Sequence, residues 1–294
     1  MSLTMALTRG LLRFTPTNTA TPQTLRAALA DRKPPAPVTR AIRRVARVER
    51  SVVNGCPVIR LTPKAHASGN HLIYTPGGAY VSPILATHWN ILAGLIERSG
   101  VSVTVALYGL APEHHVDEAY DLLDTLYEAA QAEFGGRVFV GGDSAGGALA
   151  LGQAMRYRDA AKPPPLGVVL ISPWVDATMS NPEIGALARL DPMLGAAGLA
   201  EAGRWWAGTS DVRDPLVSPL FGRLDALPPV YIYQGDRDLL VADAKLLTRR
   251  IAQTGGRAEL RIYPGAIHVF VGAPWTPEAR RALRHLGAVL RGQA

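Results

Sequence analysis

The sequence predicts an α/β fold: a mostly parallel central sheet with helices on both faces. Three observations carry this. After an initial hairpin signal, strand-like and helix-like segments alternate to the end of the chain. Residues 101–107, VSVTVAL, are nearly all apolar, as in a strand covered on both sides. Residues 137–147, RVFVGGDSAGG, pass from an apolar strand-like run through G-x-S-x-G directly into a segment rich in Ala, Leu and Met.

The elements follow in order. Residues 5–12 and 24–31 carry weak helical signals and end in the breaker KPPAP at 33–37. Arg40, Arg43, Arg44 and Arg47 recur at helical spacing, with Ile42, Val45 and Val48 facing inward. Residues 48–53 and 57–61 read as strands around Asn54-Gly55, a strong hairpin signal. A strand at 71–75 runs into Pro76-Gly77-Gly78-Ala79-Tyr80, and a helix at 88–99 follows. After the strand at 101–107 comes a helix at 115–133 with acids in its first turns. Beyond the G-x-S-x-G segment and its helix, the remaining strands are 166–172, 229–234 and 258–263. The remaining long helices are 239–253 and 277–290. Residues 173–214 interrupt the alternation, with short helical stretches at 182–190 and 196–206. This divides the chain into an N-terminal cap segment, 1–40, and a core, 41–294, with a cap insertion around 177–214. Sheets of this kind place their sites at the strand C-termini, where both cap pieces form a lid.

Composition excludes several function classes. The chain has 294 residues, 48% apolar and 19% charged, which suits a globular protein with a sizeable core. Its single cysteine, Cys56, can form no intrachain disulfide, which fits a reducing compartment; the expected location is cytoplasmic. No apolar run reaches the length of a membrane span, and the N-terminus lacks the apolar region of a signal peptide. The formal charge of +7 is uneven: residues 1–60 carry +9 and the rest −2. A basic arm on a neutral core argues against a nucleic-acid partner and reads first as a solvated face, with an acidic partner or membrane surface as the alternative. A homodimer is compatible with the sequence.

In the strand–turn–helix context, G-x-S-x-G makes Ser144 the candidate nucleophile, held on a tight turn at a helix N-terminus. A serine hydroxyl needs a base, and the base needs a group that fixes its tautomer. Downstream of Ser144 stand only His268 and His285. His285 lies in a helical pattern and reads as packing; His268 follows a strand and a turn and is the candidate base. Asp238 is the candidate acid, Asp236 the runner-up, and Asp243 falls inside a helix. Acyl transfer places negative charge on oxygen, so backbone donors are required; the N–H groups of Gly78, Ala79 and Ala145 are the expected set. Tyr80, Met193, Trp205, Trp206 and Phe270 are candidate lining of an acyl pocket, with core packing equally open to them. Asp143 is expected to hydrogen-bond toward the Tyr108–His114 segment.

These motifs together resemble the hormone-sensitive-lipase-like family of bacterial esterases, within the α/β-hydrolase fold. The resemblance runs from about Val52 to His268. Pro76-Gly77-Gly78-Ala79-Tyr80 occupies the place of the family's H-G-G-G-[FY] oxyanion loop. Tyr108–His114, YGLAPEH, is similar to Y-R-L-A-P-E-H, GDSAGG at 142–147 matches the elbow, and SPWVD at 172–176 matches S-P-W-x-D. Asp238 and His268 fall where the family's acid and base fall. Two departures stand out: Pro76 replaces the loop histidine and Ala79 the third glycine, and Gly109 replaces an arginine. The resemblance implies a serine hydrolase of carboxylic esters, acting on a small-molecule substrate with no metal and no organic cofactor. Amide, lactone or carbonate substrates on the same machinery are the alternative, as is a ligand-binding protein on an inactive scaffold.

Overall fold

The structure is a computed structural model and describes residues 1–15 and 17–293. Its strands are β1 (Ala46–Val53), β2 (Cys56–Pro63), β3 (His71–Thr75), β4 (Ser102–Ala106), β5 (Val138–Asp143), β6 (Val168–Ile171), β7 (Val230–Gly235) and β8 (Ala258–Tyr263). They form one eight-stranded sheet in the order β1-β2-β4-β3-β5-β6-β7-β8. β2 pairs antiparallel with β1 and β4, and the other neighbours run parallel. The hairpin closes through Asn54 (φ 48°) and Gly55 (φ 76°), the two left-handed residues that match the twist of the flanking strands.

The helices are α1 (Leu3–Leu12), α2 (Pro22–Ala30), α3 (Arg40–Val45), α4 (Ala86–Ser99), α5 (Val116–Phe134), α6 (Ala145–Asp159), α7 (Ile184–Leu187), α8 (Ala196–Ala207), α9 (Val241–Gln253) and α10 (Pro277–Leu290). One core packs α4, α10 and Ile42 of α3 against one face of the sheet; the other packs α5, α6, α9 and α8 against the opposite face. None of the helices among the described residues is long and apolar enough to cross a membrane.

The arginine-rich stretch divides differently from its expected helical face. Only Arg40–Val45 is helical, and Arg47 and Val48 lie in β1. The β-branched run through Val53 pairs along its whole length with β2, and that pairing overrides the helical spacing.

β3 sits between β4 and β5, so the chain crosses one way from β3 to β4 and then back past β3 to β5. That is a topological switch point, where a crevice opens at the carboxyl ends of the strands. The loop after β3 and the turn after β5 are therefore neighbours, and both carry expected site residues.

The two cap pieces meet each other over this crevice. Gly198 N–H donates to Thr19 O at 3.1 Å, Gly195 N–H to Thr19 Oγ1 at 3.0 Å, and Arg26 pairs with Glu201 at 2.6 Å. A Cβ at Gly195 or Gly198 would come within 2.4 or 2.3 Å of Thr19 O, so only glycine allows this approach. Met5 and Leu25 are buried in the two cores, and Ser2 Oγ donates to Glu278 of α10 at 2.7 Å. The N-terminal segment is thus bound both to the cap insertion and to the sheet layer.

Candidate active site

Ser144 is the only residue between the last residue of β5 and the first of α6. It is held at φ 51°, ψ −121°, a conformation that costs roughly 1–3 kcal/mol and persists only when the surroundings over-determine it. Here they do. Ser144 N–H donates to Ile171 O at 2.9 Å, and Thr75 Oγ1 donates to Gly146 O at 2.6 Å. A Cβ at Gly142 would lie 2.4 Å from Thr75 O and one at Gly146 1.9 Å from it, so both glycines are required for the turn to pack under β3.

His268 Nε2 lies 3.0 Å from Ser144 Oγ, and His268 Nδ1 lies 2.9 Å from Asp238 Oδ2. All three side chains are buried. Asp238 also accepts from Gln234 Nε2 at 2.7 Å and from Leu240 N–H at 2.9 Å. Burial pulls the His268 imidazole down, but the charge and hydrogen bond of Asp238, helped by Asp191 and Asp143, outweigh it and hold the ring above its ordinary value. Asp236 serves another purpose: its Oδ1 accepts from Gly265 N–H at 2.6 Å and fixes the turn that carries His268. Ser172 Oγ accepts from Val269 N–H at 3.0 Å and fixes the other side of the same loop. His285 packs on α10, hydrogen-bonded to Tyr233 at 2.7 Å.

The loop after β3 is organised by Asp143, whose hydrogen bonds go to residues outside the segment expected to receive them. Its carboxylate accepts from Tyr74 Oη, from Gly77 N–H at 3.1 Å and from His88 Nε2 at 3.2 Å. Leu85 N–H donates to His88 Nδ1 at 2.7 Å, which places the ring proton on Nε2, toward Asp143. Burial alone would raise the Asp143 carboxyl; the ring of His88 and the bonds from Tyr74 and Gly77 outweigh it and hold it low. The Tyr108–His114 segment acts elsewhere. Tyr108 Oη donates to Pro76 O at 2.7 Å, Glu113 pairs with Arg32 at 3.0 Å, and the His114 ring fills the space beside Gly109.

Past Gly77 the chain turns sharply. Gly78 has φ 133°, where a Cβ would meet Ser82 O at 2.3 Å, and Ala79 and Tyr80 follow at φ 52° and 63°. Ala79 thus takes a positive φ, which a residue with a Cβ seldom adopts. Val81 and Ser82 donate back to Gly78 O at 3.0 and 2.8 Å. Among the described residues the N–H groups of Gly78, Ala79 and Ala145 donate to no protein acceptor.

A cavity of about 390 Å³ opens over Ser144 and His268. Gly78, Ala79, Met193 and Leu194 line it, together with Leu12, Leu25 and Leu29 of the N-terminal segment. Four expected lining residues lie elsewhere. Tyr80 and Trp206 are buried and stacked with ring centroids 4.4 Å apart, with Trp174 tilted beside Tyr80 at 5.3 Å. Phe270 is buried against Tyr263 at 4.7 Å, and half-buried Trp205 packs on the core. Large aromatic rings gain more from burial than from lining a wet cavity, and Tyr80 with Trp206 ties the loop to α8. A second cavity, about 500 Å³, lies on the far side of the same loop against Pro76, Gly77 and Tyr108.

One carboxylate went unseen in the sequence. Asp191, in the cap insertion, accepts from Met193 and Leu194 N–H at 2.7 and 3.0 Å, and from Leu239 N–H at 2.9 Å. It therefore bridges the cavity lining to the residue next to Asp238. Burial first, and the charge of Asp238 second, push its pKa up to about 6. Only the Asp191-Pro192 turn signal marked the position, and nothing in it pointed to the site.

Comparison with known proteins gives the family of the chain. Residues 72–272 match the model of an α/β-hydrolase-fold family. An esterase of Acinetobacter venetianus is 33% identical over 226 residues, covering 75% of this chain and 74% of the relative. An acetyl-hydrolase of Streptomyces hygroscopicus is 33% identical over 231 residues, covering 77% of each. A crystal structure of an esterase from the bacterial hormone-sensitive lipase family superposes with a TM-score of 0.85 at 27% identity, over 100% of this chain and 99% of that one. The chain belongs to the α/β-hydrolase fold family, as a hormone-sensitive-lipase-like hydrolase of the esterase and lipase kind.

Proposed function

We propose that the protein hydrolyses carboxylic esters of short to medium acyl chain through an acyl-enzyme on Ser144. The observation that carries this reading is the buried chain from Ser144 Oγ through His268 to Asp238, at 3.0 and 2.9 Å, opening on a cavity of about 390 Å³. His268 Nε2 takes the hydroxyl proton as Ser144 attacks the ester carbonyl, and returns it to the leaving alcohol. Asp238 holds the productive tautomer and stabilises the imidazolium. The N–H groups of Gly78, Ala79 and Ala145 receive the negative oxygen of the tetrahedral intermediate. Water then repeats the sequence on the acyl-enzyme and releases the acid. The largely apolar lining of Leu12, Leu25, Leu29 and Met193 receives the acyl chain.

A fluorophosphonate probe tests this. One adduct is expected, on Ser144 by peptide mass spectrometry, with parallel loss of p-nitrophenyl butyrate hydrolysis. An adduct elsewhere, or none, overturns the assignment and leaves a ligand-binding protein on this scaffold.

A further inference from the structure

Helix α1 turns an apolar stripe to solvent beside the cavity. Leu3, Leu7 and Leu11 recur every fourth residue and Phe14 continues the same face. These side chains are 84%, 67%, 72% and 89% exposed. The opposite side of the helix is the anchored one: Met5 is buried, and Leu12, with Thr15 just beyond, lines the Ser144 cavity. Trp275, also exposed, lies alongside with its indole N–H on Thr8 Oγ1 at 3.2 Å. Five large apolar side chains gathered on one exposed face mark a surface that meets something.

The charge around the stripe says what it meets. Residues 1–30 hold three arginines and no acid, and exposed Arg13, at the end of α1, stands next to Phe14 of the stripe. At the start of α1, exposed Arg280, Arg281 and Arg284 of α10 share a surface crevice with Met1 and Ser2. The one acid in that crevice, Glu278, is engaged by Ser2 N–H and Oγ, both at 2.7 Å. A second copy packed here about a two-fold axis would set this cationic rim against itself. An anionic lipid surface would neutralise the arginines while burying the leucines, the arrangement of an interfacial amphipathic helix.

We propose that α1, with Trp275 and the flanking arginines, docks the protein on an anionic lipid–water interface, so that the Ser144 cavity opens toward the lipid phase. The docking face stands on the surface alone; that the substrates are esters held in that phase rests on the hydrolysis proposed above. The helix Leu3–Leu12 lies in the interface and is far below the ~20 residues a membrane span needs.

The test uses the full chain and two kinds of vesicle, phosphatidylglycerol with phosphatidylcholine, and phosphatidylcholine alone. The protein is expected to co-sediment with the anionic vesicles at least tenfold more than with the neutral ones. Leu7→Glu and Phe14→Glu, both at exposed positions outside the cavity lining, should each reduce that binding at least fivefold. Both should hydrolyse dissolved p-nitrophenyl butyrate within twofold of the unaltered protein and lose activity on an emulsified triacylglycerol. Absence of vesicle binding, or binding unchanged in both variants, overturns the proposal. So does a dimer in light scattering that either variant dissociates, since the stripe then meets a second copy. Ser144→Ala should bind vesicles normally; binding without hydrolysis of any ester would leave the docking face standing and remove the hydrolytic reading instead.

Discussion

Two groups of loops build this site, and they are held in place by different means. The loops after β5, β7 and β8 carry Ser144, Asp238 and His268 and are braced by bonds into neighbouring strand ends and loops. Ser144 N–H bonds to Ile171 O, Arg237 N–H to Ala266 O at 2.9 Å, and Val269 N–H to Ser172 Oγ. The loop after β3 leaves the sheet at Thr75 and is held by side chains from elsewhere: Asp143, itself bonded by His88, on Gly77, Tyr108 on Pro76, and the Tyr80–Trp206 stack on the cap. Geometry set by main chain is insensitive to most substitutions. Geometry set by a few side chains fails when one of them is removed. Ser144 is therefore placed by main chain, and His268 by main chain together with the side chains of Asp236 and Ser172, while the loop after β3 depends on a small polar network and on the cap.

The largest expected effect separates chemistry from loop bracing inside the first group. Asp238→Asn should lower kcat by about 10⁴-fold, because an amide at that position favours the wrong tautomer of His268. Asp236→Asn should lower it only a few-fold, because the amide oxygen still accepts from Gly265 N–H. Steady-state hydrolysis of p-nitrophenyl butyrate decides this; equal losses would transfer the acid role to Asp236.

The second prediction attacks the other group. His88→Ala removes one support of Asp143, and Asp143→Ala removes the acceptor of Gly77 N–H. Losing one oxyanion donor costs about 3 kcal/mol in other serine hydrolases. Each variant should therefore lose about 100-fold in kcat with KM changed little, since the loop acts on the transition state rather than on substrate binding. His88→Gln, which can still donate to Asp143, should recover part of the loss. A change confined to KM, or no recovery, would reduce His88 to packing.

The same contrast explains what was legible in the sequence. The fold was readable because every strand and long helix carries a period or a breaker of its own, and the three residues proposed as the triad stand out in the sequence because each follows the end of a strand. Helix α3 was misjudged past Val45 because pairing with β2 is a long-range fact that local arginine spacing does not contain. Asp143 was read toward Glu113 and His114 because the sequence gives no measure of where α4 places His88. Tyr80, Trp206 and Phe270 were read as possible pocket lining on residue type alone; whether an aromatic ring faces a cavity or a core depends on the cap, whose course over residues 177–214 carries weak periodicity. Asp191 was missed for the same reason.

The cap has a second footing on the sheet layer, and it is measurable by stability. Asp243, fully buried in the first turn of α9, accepts from Asn181 Nδ2 at 2.7 Å through one oxygen, while the other has no partner among the described residues. Burial raises its pKa from 3.8 to about 7, with Asp176 adding to the shift against the Asn181 bond. For an acid with a raised folded pKa, the native state holds the proton more tightly than the unfolded chain. Stability is therefore greatest below the unfolded value and falls as pH rises toward about 7. Between pH 5 and 8 this group should remove roughly 2–3 kcal/mol. Asp243→Asn should flatten that decline in denaturant titrations at the two pH values, with kcat nearly unchanged; a decline of the same size in the variant would place the buried charge elsewhere.

The smallest effect bears on the point where the two regions touch. Asp191 belongs to the cap by sequence and to the triad by position, bonded to Leu239 N–H at 2.9 Å and raising the His268 pKa by its charge. Catalysis needs the neutral imidazole, so the acid limb of the pH–activity profile should lie above the ordinary histidine value of about 6.5. Its position is set jointly by the charges of Asp238 and Asp191, with Asp238 contributing more. Replacing Asp191 by Asn keeps one acceptor oxygen, for Met193 and Leu194 N–H, gives up the acceptor for Leu239 N–H, and removes one negative charge near the ring. The imidazolium is then less stabilised, and the limb should move down by a fraction of a pH unit, with the plateau rate within about threefold of the unaltered protein. A profile of kcat/KM from pH 5 to 9 reads this directly. An unmoved limb would mean that Asp191 is protonated throughout the working range and serves only to fasten the cap; a large fall in the plateau would mean that the fastening itself sets the triad geometry, and that the two regions are less separable than their bracing suggests.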